Sequence, residues 1–233
     1  MKRFYDAVDI RAAEDNVGWQ ITLDGRGLKT VRGTPQLLPS KSLAEAMARE
    51  WSEQSENLDT TRFVFRDMAD YAIDVVSGAR DETVAKLIAY AETDTLCYRA
   101  DPEDALFARQ QEVWEPLLGQ LEAQDGVSFT RVSGIVHKPQ SAETLTALRQ
   151  RIEGESPFAL AALESMAALS ASLSIAILAS APDADAESLW RAACLEEEWQ
   201  ADLWGRDYEA EERRAKRRGD FLAAQDFLEL SRG

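Results

Sequence analysis

Apolar and polar residues alternate from Val17 to Leu23, which places Val17, Trp19, Ile21 and Leu23 on one face of a strand. Asp24-Gly25 follows, a pair that tolerates the positive φ angles of a tight hairpin, and Leu28–Val31 is expected to return beside the first strand. Phe4, Val8 and Ile10 suggest another strand before these, and Gly33, Pro35 and Pro39 close the section. The period then lengthens. Ser42 and Glu45 have the spacing of a capping box, and Leu43, Met47 and Trp51 follow at helical intervals. Further helices are expected over about 66–77, 80–96, 103–123, 141–153, 157–180, 184–204 and 207–229, with a short strand at Val127–Val132. There is no repeat of fixed period and no low-complexity linker.

This pattern predicts an α+β fold, with a small β-rich N-terminal domain followed by a larger, mainly α-helical C-terminal domain. The boundary falls between residues 58 and 82, and is drawn here as 1–65 and 66–233. Residues 165–182 are uncharged and long enough to raise a membrane span. Ser165, Ser170, Ser172, Ser174 and Ser180 lower their hydropathy, and neither flank carries a basic anchor cluster. Small residues also let helices approach closely, so a buried central helix is expected there.

Charge narrows the function. The 233 residues hold 42 acidic and 26 basic side chains, a net −16, unevenly distributed. Residues 1–40 carry 6 bases and 5 acids, residues 41–205 carry 13 and 30, and residues 206–233 carry 7 and 7. So acidic a middle section repels phosphate backbones and anionic lipid, so neither nucleic-acid binding nor membrane insertion is expected. Two cysteines, Cys97 and Cys194, do not make a disulfide scaffold and suit a reducing cytosol. Met1-Lys2-Arg3 runs into polar sequence, so no cleavable signal is expected and the location is read as cytoplasmic.

The catalytic inventory is poor. The single histidine, His137, lies in a strand-to-turn context with no Gly-x-Ser-x-Gly elbow, and reads as a surface or strand-end residue. Two distant cysteines and one histidine fall short of a zinc site. No EF-hand loop, phosphate-cradling loop or dinucleotide fingerprint occurs. Neither catalytic residues nor a metal or cofactor is expected.

Three clusters are more informative. Glu50-Trp51-Ser52-Glu53-Gln54 ends the first helix, where Trp51 reads chiefly as core. In Tyr90–Arg99, Asp94 stands four residues from both Tyr90 and Tyr98, which puts all three on one helix face. That pattern fits a buried polar network or an aromatic and acidic surface for a partner. In the third cluster, Glu196–Ala210, the apolar stripe Leu189, Ala192/Ala193, Trp199 and Leu203 takes in Glu196, which must then be half-buried with a polar partner. Glu197 and Glu198 are expected to face water, and Gly205 should end the helix after Trp204. The following acids can pair with the run Arg213–Arg218, for instance Glu209 with Arg213 and Glu212 with Lys216. Tryptophans beside carboxylates also suit a binding hot spot for a basic, apolar patch.

At these clusters the chain resembles the F1-ATPase (ATP synthase) assembly chaperones that bind the α subunit, a family with mitochondrial members and α-proteobacterial homologues. The matching stretches are Lys2–Tyr5, Leu23–Thr30, Leu43-Ala44 through Glu50-Trp51 and Gln54, Tyr90–Asp94 into Leu96–Arg99, Gln111 with Trp114-Glu115-Pro116, and Trp204–Ala210. Their order along the chain is more specific than any one alone. Thr60–Arg66 lacks the Met-Pro-x-Thr of relatives, and Thr30-Val31 stands where they have Thr-Pro. The resemblance implies a non-enzyme that holds the free α subunit of F1-ATPase, prevents its self-association, and gives it up when the β subunit replaces it. It implies Trp51, Asp94, Glu196, Trp204, Asp207 and Glu209 as contributors to client binding or to the shape of that surface, in a monomer without cofactors. Two alternatives stay open from the residues alone: a small acidic hydrolase using carboxylates in an interdomain cleft, and a general adaptor for basic protein segments.

Overall fold

The computed structural model describes residues 1–13, 17–134 and 138–233, which places the turn around His137 outside the described residues. The fold is α+β, a small antiparallel sheet followed by helices, and it divides into two compact units. The first comprises Met1–Arg80 with Ser156–Ala162 and Asp226–Gly233; the second comprises Asp81–Glu155 and Leu163–Gln225.

In the first unit, strands β1 (Val8–Ala12), β2 (Trp19–Leu23) and β3 (Arg26–Gly27) pair in the order β1-β2-β3, with Ile10 opposite Ile21 and Thr22 opposite Gly27. The hairpin forms where its turn chemistry asks for it. Asp24 at φ 47° and Gly25 at φ 78° both lie in the left-handed region, as a two-residue primed turn requires. The Asp24 carboxylate accepts the amides of Ala7 at 2.8 Å and Asp6 at 3.1 Å, which lowers its pKa. The returning strand is shorter than expected, because Lys29 onward pairs instead with Pro35. Gly27 is needed for close approach: a Cβ there would stand 2.4 Å from Oε1 of Gln20, whose amide nitrogen donates to the Leu28 carbonyl at 3.0 Å.

Helix α1 (Lys41–Ser52) starts two residues earlier than the capping box suggests. Ser40, not Ser42, is the N-cap: its backbone is extended and its Oγ accepts the Leu43 amide at 3.1 Å. Leu43, Met47 and Trp51 are buried as the period predicts. Helix α2 (Val64–Asp74) has no side-chain cap on its own N-cap residue. Glu50 of α1 supplies it, accepting the amides of Phe65 at 2.7 Å and Arg66 at 3.0 Å. Burial pushes the Glu50 carboxyl up against those two hydrogen bonds. Gln54 closes the intervening loop by accepting the Asp59 amide at 2.7 Å. Phe65 and Phe158 meet Phe227 at ring separations of 6.1 and 5.9 Å.

The second unit is built from α3 (Arg80–Glu92), β4 (Tyr98–Arg99), α4 (Ala105–Asp125), β5 (Val132–Ser133), α5 (Ala142–Glu153), most of α6 (Pro157–Ser170), α7 (Leu173–Ala179), α8 (Ala186–Ala193), α9 (Leu195–Trp204) and most of α10 (Tyr208–Arg232). Three expected helices are broken. The helix expected over 80–96 ends at Glu92, and Thr95–Cys97 forms a 3₁₀ turn capped by Asp94, so Tyr90, Asp94 and Tyr98 do not share a helix face. The 157–180 helix splits at Ala171, whose φ is 50°, and Ser172 caps the new start by accepting the Ile175 amide at 3.0 Å. The 184–204 helix splits at Cys194. Leu173–Ala179 is buried throughout, and among the described residues no helix is long and apolar enough to cross a membrane.

The expected strand at Val127–Val132 reduces to β5, which pairs in parallel with β4. Side chains hold the rest. The amide of Phe129 donates to Glu122 at 2.8 Å, that of Thr130 to Gln140 at 2.8 Å, and that of Ser128 to Thr144 at 3.2 Å. The alternation is real, but these partners take the backbone groups a neighbouring strand would have satisfied.

Candidate functional site

Three acidic residues, Glu196, Glu197 and Glu198, occupy the first turn of α9, where the helix dipole favours negative charge. The helix ends at Gly205, whose amide donates to the Ala201 carbonyl at 2.9 Å and whose φ of 98° belongs to glycine. Asp207 then opens α10: its carboxylate accepts the Ala210 amide at 2.9 Å. The tight turn between the two helices leaves Leu203, Trp204 and Tyr208 exposed at 63%, 85% and 81%. A tryptophan carries roughly 150–250 Å² of contact surface. Leaving most of it in water forgoes about 3–5 kcal/mol at ~25 cal/mol per Å². Folding does not account for it there.

Charge surrounds this cluster. Arg206 bonds to Asp202 at 2.9 Å and Glu211 at 3.4 Å, and these acids hold its pKa above the usual value. Glu209 pairs with Arg213 at 3.6 Å, as the spacing predicts, while among the described residues no ion pair joins Glu212 to Lys216. Arg214 reaches Glu211 at 2.9 Å, and Arg217 reaches Glu197 at 2.9 Å. Much of the basic run is thus committed to neighbouring acids. Glu197, Gln200, Trp204, Asp207, Glu211 and Arg214 border a groove of about 330 Å³ between α9 and α10.

The other sequence-predicted residues lie elsewhere in the fold. Trp51 belongs to the core of the first unit, its ring 4.4 Å from that of Phe63 and 5.6 Å from that of Tyr5. Tyr5 also donates its hydroxyl to the Trp51 carbonyl at 2.6 Å. Asp94 is sealed from solvent. Its carboxylate accepts the Ser172 hydroxyl at 2.7 Å, the Ser174 amide at 2.8 Å and the Leu96 amide at 3.0 Å. Burial raises its pKa, and these hydrogen bonds oppose the rise. Glu196 is half-buried with a partner, as expected: Gln110 donates to it at 2.6 Å. Burial raises its pKa too. Gln110 in turn accepts the Ala100 amide at 2.8 Å. Trp204 and Asp207 thus border one groove, with Glu209 following in the first turn of α10, whereas Trp51 and Asp94 are buried.

Leu203 is exposed, contrary to its place in the apolar stripe that the spacing predicts: the break at Cys194 resets the helical phase, so a stripe counted from Leu189 does not continue to it. Tyr208 is exposed by the turn after Trp204, and Gly205 is the sequence signal for that turn.

Neither cysteine is poised for chemistry. Burial pushes the thiols of Cys97 and Cys194 up to about 12. Among the described residues no group of three or more His, Cys, Asp or Glu side chains is placed to hold a metal ion.

The model of the ATP12 chaperone protein family matches residues 2–122. Atp12 from Paracoccus denitrificans is similar along the whole length, with 33% identity and a TM-score of 0.93 over 99% of this chain and 98% of that one. The chain belongs to the ATP12 chaperone family. A point mutant of the P. denitrificans Atp12p matches equally well, at 33% identity and a TM-score of 0.93, covering 99% of this chain and 97% of that one. The Atu1473 protein of Agrobacterium tumefaciens is 34% identical, with a TM-score of 0.93 over 98% of this chain and 85% of that one. The family match ends at residue 122, before α9 and α10, but the similarity to these ATP12 structures spans the α9–α10 turn as well.

Several residues that make this chain look like an ATP12 protein are structural here. Trp114 is fully buried and donates its indole N–H to the Ala192 carbonyl at 2.8 Å. Beside it, Arg99 bonds to Glu115 at 2.7 Å and lies 4.9 Å from the Trp114 ring centre. Glu115 also bonds to Arg131 at 2.9 Å, and Arg131 bonds to Glu122. Burial opposes ionisation of Glu115 and Glu122, but the guanidinium partners outweigh it and hold both carboxyls below their usual range.

Proposed function

We propose that this chain is an assembly chaperone for the F1 sector of ATP synthase that binds the free α subunit at the α9–α10 turn. The observation that carries this reading is the exposed cluster of Leu203, Trp204 and Tyr208 beside Asp207 and Glu209, in a member of a chaperone family. An aromatic anchor in an acidic surround suits a client with an apolar surface bordered by bases. It also suits release, since a few anchors and solvent-screened charges give moderate affinity. The chain holds α back from self-association until β takes its place. It works as a cytoplasmic monomer, without cofactor and without catalysis. Asp94 is sealed from solvent and Glu196 is tied to Gln110, so neither presents a free carboxylate of the kind the hydrolase alternative needs.

Trp204→Ala tests the site. The variant should melt like the parent, because Trp204 is 85% exposed, yet its affinity for isolated α subunit should fall by ~30-fold or more, the loss of one hot-spot aromatic. Unchanged affinity would remove the α9–α10 turn from the binding surface.

A further inference from the structure

The other flank of α9 carries a second recess. Arg109, Val113, Leu117 and Gln120 follow one another along one face of α4, and the end of α7, the segment after it, α8 and α9 form the facing wall. At one end the recess is mainly apolar, about 480 Å³, bordered by Leu117, Leu178, Pro182 and Leu189 together with Asp183 and Asp185. At the other it is polar, about 340 Å³, bordered by Arg109, Arg191, Glu198, Trp199 and Asp202. Val113, Ser188 and Ala192 border both, so the two form one groove. At 1.5 Å per residue, Arg109 to Gln120 gives it a length of roughly 16 Å. That accommodates about three turns of a helix.

The charges at the polar end are not balanced. Arg109 is taken by Glu112 at 2.7 Å, and Arg191 shares Glu187 with Arg218, at 3.3 and 2.8 Å. Asp202 is taken by Arg206 at 2.9 Å. Neither Glu198 nor, at the other end, Asp183 has an ion pair among the described residues, so the groove offers apolar surface with uncompensated carboxylates. A cation is the complementary group.

We propose that this α4–α8–α9 groove binds a basic amphipathic helix of the client, its apolar face against Val113, Leu117 and Leu189 and a Lys or Arg at Glu198. This deepens the chaperone reading and rests on it for the identity of the client. It adds a second contact, on the opposite flank of α9 from Trp204. Helix-in-groove recognition of this kind needs apolar anchors on one face and gains register from a charge at the end.

The test uses the full chain and a fluorescein-labelled twelve-residue Leu/Lys amphipathic helix, with its Leu/Glu counterpart as control, read by fluorescence anisotropy. The Leu/Lys peptide should bind and the Leu/Glu peptide should not. Glu198→Lys should weaken binding about fivefold or more, the scale of a partly exposed ion pair removed and reversed. Leu117→Asp should abolish it, and Trp204→Ala should leave it unchanged. Equal binding of both peptides, or indifference to Glu198→Lys and Leu117→Asp in chains whose circular dichroism matches the parent, overturns the proposal. Capture of isolated α subunit by the same variants separates the two readings. If α binds and is lost with Trp204→Ala but not with Glu198→Lys or Leu117→Asp, the groove proposal fails alone. If the peptide binds as described but α does not bind the parent chain, the identity of the client fails and the groove stands.

Discussion

Replacing Asp94 should show how much of the fold depends on one buried carboxylate. Its oxygens accept hydrogen bonds from Leu96, Ser172 and Ser174, and they join the 3₁₀ turn after α3 to the start of α7. Asp94→Ala leaves three donors without a partner in a site closed to solvent. Each such group costs about 1–3 kcal/mol, partly offset because a desolvated carboxyl is also removed, so the net loss should be ~3 kcal/mol. For a chain of this length that lowers the Tm by about 6–12 °C. Asp94→Asn retains an acceptor for Leu96 and Ser172 but turns an N–H₂ toward the Ser174 amide, and should cost ~1–2 kcal/mol.

The pH dependence supplies a sharper check. The Asp94 pKa is raised in the folded chain, so its contribution to stability is fully present below the unfolded value of about 3.9 and is lost as pH rises through the folded value. Asparagine does not titrate. The penalty of Asp94→Asn relative to the parent should therefore be largest near pH 4 and shrink toward pH 7, as followed by thermal melts at 222 nm. A loss under ~1 kcal/mol for Asp94→Ala, or an Asn penalty that grows with pH, would refute the assignment.

Three further outcomes are expected. Glu50→Ala uncaps α2 and should cost ~1–2 kcal/mol, with faster hydrogen exchange confined first to the amides of Phe65 and Arg66. Arg131→Met removes the group that lowers the pKa of both Glu115 and Glu122; stability from a lowered carboxyl is present above the unfolded pKa and lost as pH falls, so the variant should lose about 1–2 kcal/mol at pH 7 and converge with the parent in acid, seen in urea midpoints across pH. Glu209→Lys should leave the melting curve within ~0.5 kcal/mol of the parent, because Glu209 is exposed, yet weaken α-subunit binding about fivefold in a titration at low salt.

The sequence made the α+β division legible because period and turn chemistry agree at the hairpin and along α1, where Asp24-Gly25 and the Leu43, Met47, Trp51 spacing leave little choice. It overran two helices where Asp94 and Ser172, in mid-pattern, served as new caps, and a third at Cys194, which makes no side-chain cap. Asp94, Ser172 and the residues around Cys194 keep helical spacing on both sides, so hydrophobic period alone joins what the backbone breaks. Glu50 shows the reverse problem: its role depends on the start of α2, fifteen residues later, and no local pattern announces it. At the site, Gly205 and the tryptophan before it were visible from the sequence, as was the half-burial of Glu196. What periodicity could not reveal was that Leu203 turns outward with Trp204, since helix phase does not carry through a break.

The central claim is that this chain keeps free α subunit from associating with itself. Light scattering of isolated α subunit, with and without an equimolar amount of the chain and then with β subunit added, tests it most directly. Suppressed scattering is expected with the parent chain, little suppression with Trp204→Ala, and release of the chain from α once β is present. Scattering that rises equally with and without the chain would contradict it.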